Sequence, residues 1–219
     1  MDAEKDSVRL AGAKLQGSSH VCAFFHSRDE ENRVLLPFIK EGVDRGERIF
    51  QIVDPEQRRE QLRTLGEAGL PVAELESSDQ LDVRGWDQAY LRGGHFDQNA
   101  VLQLMEEMLR GSKEQGYPRT RVMGCVEWTL QDRPGVDDIV EYETRLNYVV
   151  PKYDCPVVCT YDYARYGAGV VMDILRTHPM VIIGGLLQVN PFYVPPDEFL
   201  RELRGRVHPL RGYPPAPAD

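Results

Sequence analysis

Four sets of residues in this chain have the types needed for chemistry. His26, Ser27 and Arg28 stand just ahead of three consecutive acids, Asp29, Glu30 and Glu31. Asp54 follows the apolar run RIFQIV, and Glu127 with Trp128 follows RVMGCV. Acids at such positions could hold metal-bound water or act as a general base. Tyr161, Asp162, Tyr163, Arg165 and Tyr166 concentrate rings beside charges. That composition suits a small organic ligand, with rings for area and Asp162 or Arg165 for orientation. It equally suits a protein interface, where Tyr and Arg are enriched. His178, ahead of Pro179, either ends a helix or lines a pocket.

Each candidate has a plainer reading. Asp54 can cap the helix that starts at Pro55. Trp128 offers a flat apolar wall and one N–H, but core packing explains it as well. Glu127 is harder to set aside, because a carboxylate ending a buried strand needs a partner or a wet edge. Ser27 beside His26 is no nucleophile–base pair, since neighbouring strand side chains point to opposite faces. His20 is expected to serve the start of its strand or a nearby backbone group, with ligand or metal contact as the alternative. The four cysteines (Cys22, Cys125, Cys155, Cys159) read as small buried hydrophobes. Cys155 and Cys159 lack the usual two-residue metal spacing, so no metal site and no cofactor are expected.

The elements that must position these residues follow from periodicity. His20–His26 is apolar on both faces, as a strand covered on two sides should be. A helix follows, capped by Ser27 or Asp29, with Val34, Leu35, Phe38, Ile39 and Val43 at helical spacing and Pro37 in its first turns. Gly42 and Gly46 are read as weakening and ending it. Further strands are expected at 48–53, 121–128, 156–161 and 180–187, and short ones at 72–75 and 81–83. Helices are expected at 55–68, 97–115, 137–150 and 169–177. This alternation predicts an α/β fold with a mostly parallel central sheet and helices on both faces. Residues 1–18 are read as a mobile arm, 19–204 as the domain and 205–219 as a Pro-rich tail.

The opening strand–turn–helix is the frame of a phosphate-binding site without its chemistry. Such sites need glycines, so that backbone N–H groups can face phosphate, and a Gly-Lys-Ser/Thr. The turn here is HSRDEEN. Two like charges about 4 Å apart cost about 4 kcal/mol at an effective dielectric near 20. Three acids in the turn therefore oppose a triphosphate, while His26, Ser27 and Arg28 stay at the carboxyl edge where open α/β sheets bind ligands.

An apolar fraction of 42% over 219 residues supports an ordinary core. The net charge of −9 is spread along the chain and disfavours nonspecific nucleic-acid binding. No apolar run reaches the roughly 20 residues of a membrane span, and the acid-containing first residues do not form a signal peptide. A cytoplasmic location is expected.

Seven phrases in order carry a resemblance: HVCAFFHSRDEENRVLLPFIKEGVDRGERIFQIVD, YLRGGHFD, RVMGCVEWTL, EYETRLN, VVCTYDYARY, RTHPMVIIGG and NPFYVPPDEFL. Over about residues 19–200 the chain resembles the MEDS family, the methanogen/methylotroph DcmR sensory domain. The resemblance implies a RecA/KaiC-like three-layer sandwich lacking the Walker A loop. It also implies a non-catalytic sensory domain that takes a small organic ligand of unknown identity. With no helix-turn-helix, kinase or ATPase segment expected in the tails, output would pass to a partner regulatory protein (a kinase or transcription factor) rather than to nucleic acid. A homodimer is allowed by analogy. The alternative is a degenerate-ATPase scaffold acting purely through protein–protein contact.

Overall fold

A computed structural model describes residues 7–15 and 19–206. Seven strands form one sheet: β3 (His20–Phe25), β4 (Arg48–Val53), β5 (Leu81–Gly85), β6 (Thr120–Cys125), β7 (Val157–Asp162), β8 (Met180–Ile183) and β9 (Leu186–Val189). Their order is β5-β4-β6-β7-β3-β8-β9, parallel throughout except for β9 at one edge. β3 and β7 lie beside each other in the interior of the sheet, with Cys22 opposite Cys159 and Phe24 opposite Tyr161.

Both faces of the sheet are covered, which is why β3 is buried at every residue. Val21, Ala23 and Phe25 pack with α1 (Arg28–Asp44), α2 (Arg58–Glu67) and α3 (Val72–Ser77). Cys22 and Phe24 face a second apolar layer. That layer is built by α4 (Gln98–Glu114), α5 (Ile139–Val149), α6 (Ala168–Thr177) and α7 (Pro196–Gly205).

Several expectations change. Residues 72–75 are helix, not strand; Pro71 opens α3, and only Leu75 of that element is buried. A short apolar run does not by itself distinguish the two states. β6 stops at Cys125, and Glu127–Leu130 form a 3₁₀ turn, so Trp128 does not end a strand. Pro37 falls in the middle of α1 on its exposed side, where the carbonyl it leaves without a donor can meet water. Gly42 lies inside the helix, and a Cβ there would stand 2.8 Å from Arg121 and Ile49. Residues 7–15, read as part of a mobile arm, instead form a hairpin of β1 (Arg9–Leu10) and β2 (Ala13–Lys14) against α1, with Val8, Leu10 and Leu15 buried. Residues 1–6, 16–18 and 207–219, including nearly all of the Pro-rich tail, lie outside the described residues.

β8 and β9 are joined through Gly184 and Gly185, at φ 58° and 73°. Two consecutive left-handed residues match the sense of turn that a twisted two-residue hairpin needs. Valine at either glycine is expected to cost about 1–2 kcal/mol, read as a lower urea midpoint with unchanged slope.

Candidate functional site

The carboxyl ends of β3, β6 and β7 enclose a polar cleft of about 50 Å³ lined by Phe25, Ser27, Arg28, Glu31, Glu127, Thr160, Tyr161 and Asp162. Ser27, Arg28, Glu127, Tyr161 and Asp162, five of the residues singled out by sequence, thus converge. Arg28 binds Glu31 at 2.7 Å, and Arg165 reaches Glu127 from the rim. Burial holds the Glu31 carboxyl above its ordinary range, against the lowering effect of Arg28. Asp162 also accepts a hydrogen bond from the amide of Ala164, which fixes the turn after β7.

At the start of α1, the amides of His26 and Glu30 are taken by side chains of the same turn. Ser27 Oγ accepts from Glu30 N at 3.3 Å, while Glu30 Oε2 accepts from His26 N at 3.0 Å. Glu30 is also 2.7 Å from His26 Nδ1, a contact that lowers the carboxylate below its usual range. The anion at this helix N-terminus is a side chain, in a variant of the capping box.

Four of the expected residues lie elsewhere. His26 turns to Glu30 and stacks on Tyr163, outside the cleft. Asp54 ends β4 and accepts from Glu56 N at 2.9 Å, so it is a cap. Trp128 is fully buried between Tyr90 and Phe96, with ring centroids at 5.3 and 4.7 Å. A wholly enclosed indole cannot offer a wall to an incoming ligand. His178 is likewise fully buried, at the end of α6.

His178 belongs to a second group that residue order did not reveal. His20 at the start of β3, Glu143 on α5, Cys159 on β7 and His178 are all buried, and one donor atom from each lies within 4.8 Å of the others. His20 therefore does more than serve the start of its strand: Nε2 stands 3.2 Å from Glu143 Oε2 and 3.5 Å from Cys159 Sγ. Tyr161, a residue that also lines the cleft, donates its hydroxyl to Glu143 Oε1 at 3.0 Å. Burial would push Glu143 up, but its contacts with His20, His178 and the Tyr161 hydroxyl hold it below the usual carboxylate range. Burial and Glu143 push the Cys159 thiol far up. Burial and then His20 lower His178 to about 3, so its imidazole is neutral.

A signal for Glu143 was present. It sits four residues after Ile139 and three before Leu146, on the inward stripe of its helix, where a carboxylate must have partners. For Cys159 and His20 no local signal exists, because their partners are 16 and 139 residues away along the chain.

Comparison with known proteins agrees with this architecture. Over 172 residues the chain is 21% identical to the transcriptional repressor DcmR of Methylorubrum extorquens strain DM4, covering 78% of this chain and 62% of the repressor. It therefore spans less than two thirds of that relative's length. A crystal structure of a KaiC-like protein from the hyperthermophilic archaeon Pyrococcus horikoshii OT3 superimposes with a TM-score of 0.57 at 12% identity, over 78% of this chain and 73% of that one. The fold is thus KaiC-like. The MEDS family model, "MEthanogen/methylotroph, DcmR Sensory domain", matches residues 19–179, and the chain belongs to that family.

Proposed function

We propose that this chain is a non-catalytic sensory domain that takes a small organic ligand in the cleft formed by Ser27, Arg28, Glu127, Tyr161 and Asp162 and relays its occupancy to a partner regulator. The observation that carries the reading is the self-capped start of α1: Glu30 and Ser27 bind amides of the turn, while a polar cleft lies beside it. The cleft's volume of about 50 Å³ exceeds the roughly 10–15 Å³ that one water needs, which leaves room for a small ligand. Membership in a sensory family and similarity to a transcriptional repressor support regulation as the output. Ligand binding acts as a switch only if one arrangement of the loops after β3, β6 and β7 is preferred in the bound state.

A thermal-shift screen of small polar metabolites is expected to find compounds that raise the melting temperature, with the shift lost in Glu127→Ala and Asp162→Ala. Calorimetry with Mg-ATP at millimolar concentration is expected to give no heat. A screen without hits, or ATP binding at that concentration, would remove the support for this reading.

A scaffold role is the second reading, favoured by the outer edge of the sheet. Ile183, Leu186 and Val189 of β8 and β9 are exposed there, and among the described residues β9 is an edge strand. Lysine at Leu186 and Val189 together is expected to abolish capture of a regulatory partner if that edge carries the output. Retention of the same partner by the Glu127→Ala variant would favour scaffolding over sensing.

A further inference from the structure

The buried group beneath the cleft has the chemistry of a metal site. Its hydrogen bonds assign the imidazole tautomers. Asn147 Nδ2 lies 3.1, 3.1 and 2.8 Å from the carbonyls of Glu143, Thr144 and Thr177, so that end of the amide must be the donor. Oδ1 therefore faces His20 Nδ1, at 3.3 Å, and that nitrogen carries the proton. His178 Nδ1 is 2.9 Å from the Ile174 carbonyl and 2.7 Å from Thr177 Oγ1; the Thr177 hydroxyl donates to that carbonyl at 2.8 Å, and since the carbonyl only accepts, Nδ1 is placed as a donor. In the neutral rings, both Nε2 atoms are lone pairs.

These lone pairs are directed at another acceptor. His20 Nε2 and His178 Nε2 lie 3.2 and 3.5 Å from the same Glu143 Oε2. Cys159 Sγ is 3.5 Å from that oxygen and 3.5 Å from His20 Nε2. A proton on His20 Nε2 would satisfy one contact and leave the other unmet, since His178 Nε2 is buried with no hydrogen-bond partner among the described residues. A single cation among the four atoms satisfies all of them. With metal–nitrogen and metal–oxygen bonds near 2.1 Å and a metal–sulfur bond near 2.3 Å, a tetrahedron has edges of about 3.3–3.6 Å. Four of the six separations, at 3.2–3.5 Å, are close to that size, and all six lie within 4.8 Å.

We propose that His20 Nε2, His178 Nε2, Glu143 Oε2 and Cys159 Sγ form a four-ligand site for a divalent transition ion of the zinc class. Imidazole, carboxylate and thiolate are all donors that such an ion takes. Outer partners orient three of the ligands: Asn147 for His20, the Ile174 carbonyl for His178 and the Tyr161 hydroxyl for Glu143. On coordination Cys159 gives up its thiol proton to solvent, while the other three ligands release none. A divalent ion with two anionic ligands leaves the buried assembly neutral, as its apolar surroundings require. The four ligands come from β3, α5, β7 and the end of α6, so the ion would clamp helices to the sheet. Enclosure on all sides means loading during folding. The site lies beneath the ligand cleft and does not depend on that reading.

The test uses the full chain purified without chelator from zinc-supplemented cells. Elemental analysis is expected to find about one equivalent of a first-row metal that leaves only on unfolding with chelator. Refolding with Co²⁺ is expected to give a tetrahedral d–d spectrum with a thiolate-to-cobalt charge-transfer band. Cys159→Ser should remove that band, and Tyr161→Phe should weaken metal affinity about 10–100-fold while keeping the fold by circular dichroism. Folded wild-type protein that holds no metal and gives no charge-transfer band with Co²⁺ would overturn the proposal. An unchanged cobalt spectrum in a folded Cys159→Ser variant would also overturn it, by placing the metal elsewhere.

Discussion

Arg121→Met is expected to destabilise the protein by about 3 kcal/mol, the lower end of the range for breaking a buried ion pair. Arg121 is wholly buried on β6, with Nε 2.5 Å from Glu47 Oε2 and Nη1 3.0 Å from Glu41 Oε2. Nη1 also donates to the Phe38 carbonyl, and the guanidinium lies over the Phe38 ring at 4.6 Å. Methionine fills much of the space but leaves Glu47 buried with a single cation, Arg119, at 2.9 Å. That remaining partner is why the lower end applies. The double variant Arg121→Met with Glu47→Leu should recover most of the loss, because replacing both partners with apolar groups removes the uncompensated charge. Urea denaturation of the two variants checks both statements; a loss below about 1 kcal/mol for Arg121→Met would show that the network contributes little.

This network also bears on the cleft. α1 delivers Ser27, Arg28 and Glu31 to it, and β6 leads into Glu127. Arg121 ties that helix to that strand, and Gly42 is the position on α1 that leaves room for it. Loosening the tie should weaken ligand response before it unfolds the domain.

The alternation of strands and helices was legible because each long element carries its own period. β3, β4 and β7 are apolar on both faces, while α4 and α5 show an inward stripe. The convergence of Ser27, Arg28, Glu127, Tyr161 and Asp162 was legible for a related reason: parallel strands gather their carboxyl ends at one edge. What failed was local. Val72–Leu75 is too short for its apolar content to choose between helix and strand, and a glycine such as Gly42 signals a break and a close contact with the same letter. The His20–Glu143–Cys159–His178 group was hidden because it is assembled across the sheet. Metal spacing rules apply to ligands near one another in the chain, and none of these pairs is closer than 16 residues.

Trp128 separates a wall of the cleft from a part of the core, and its truncation should be the other large effect. Trp128→Ala is expected to cost about 3–5 kcal/mol, the range for deleting a large buried aromatic. The indole is enclosed by Tyr90 and Phe96, which both meet Tyr142 edge-on at 6.2 and 5.5 Å, so little can move in to fill the void. Phenylalanine at the same position should lose less than half as much. It keeps a ring between Tyr90 and Phe96, and it removes the Nε1–H, which is buried without a hydrogen-bond partner and whose burial opposes folding. The two variants distinguish the roles: if Trp128 only packs, ligand affinity measured on the folded fraction is unchanged in Trp128→Phe. A large affinity loss in that variant with little change in stability would restore Trp128 to the binding surface and require the 3₁₀ turn at Glu127–Leu130 to open when ligand arrives.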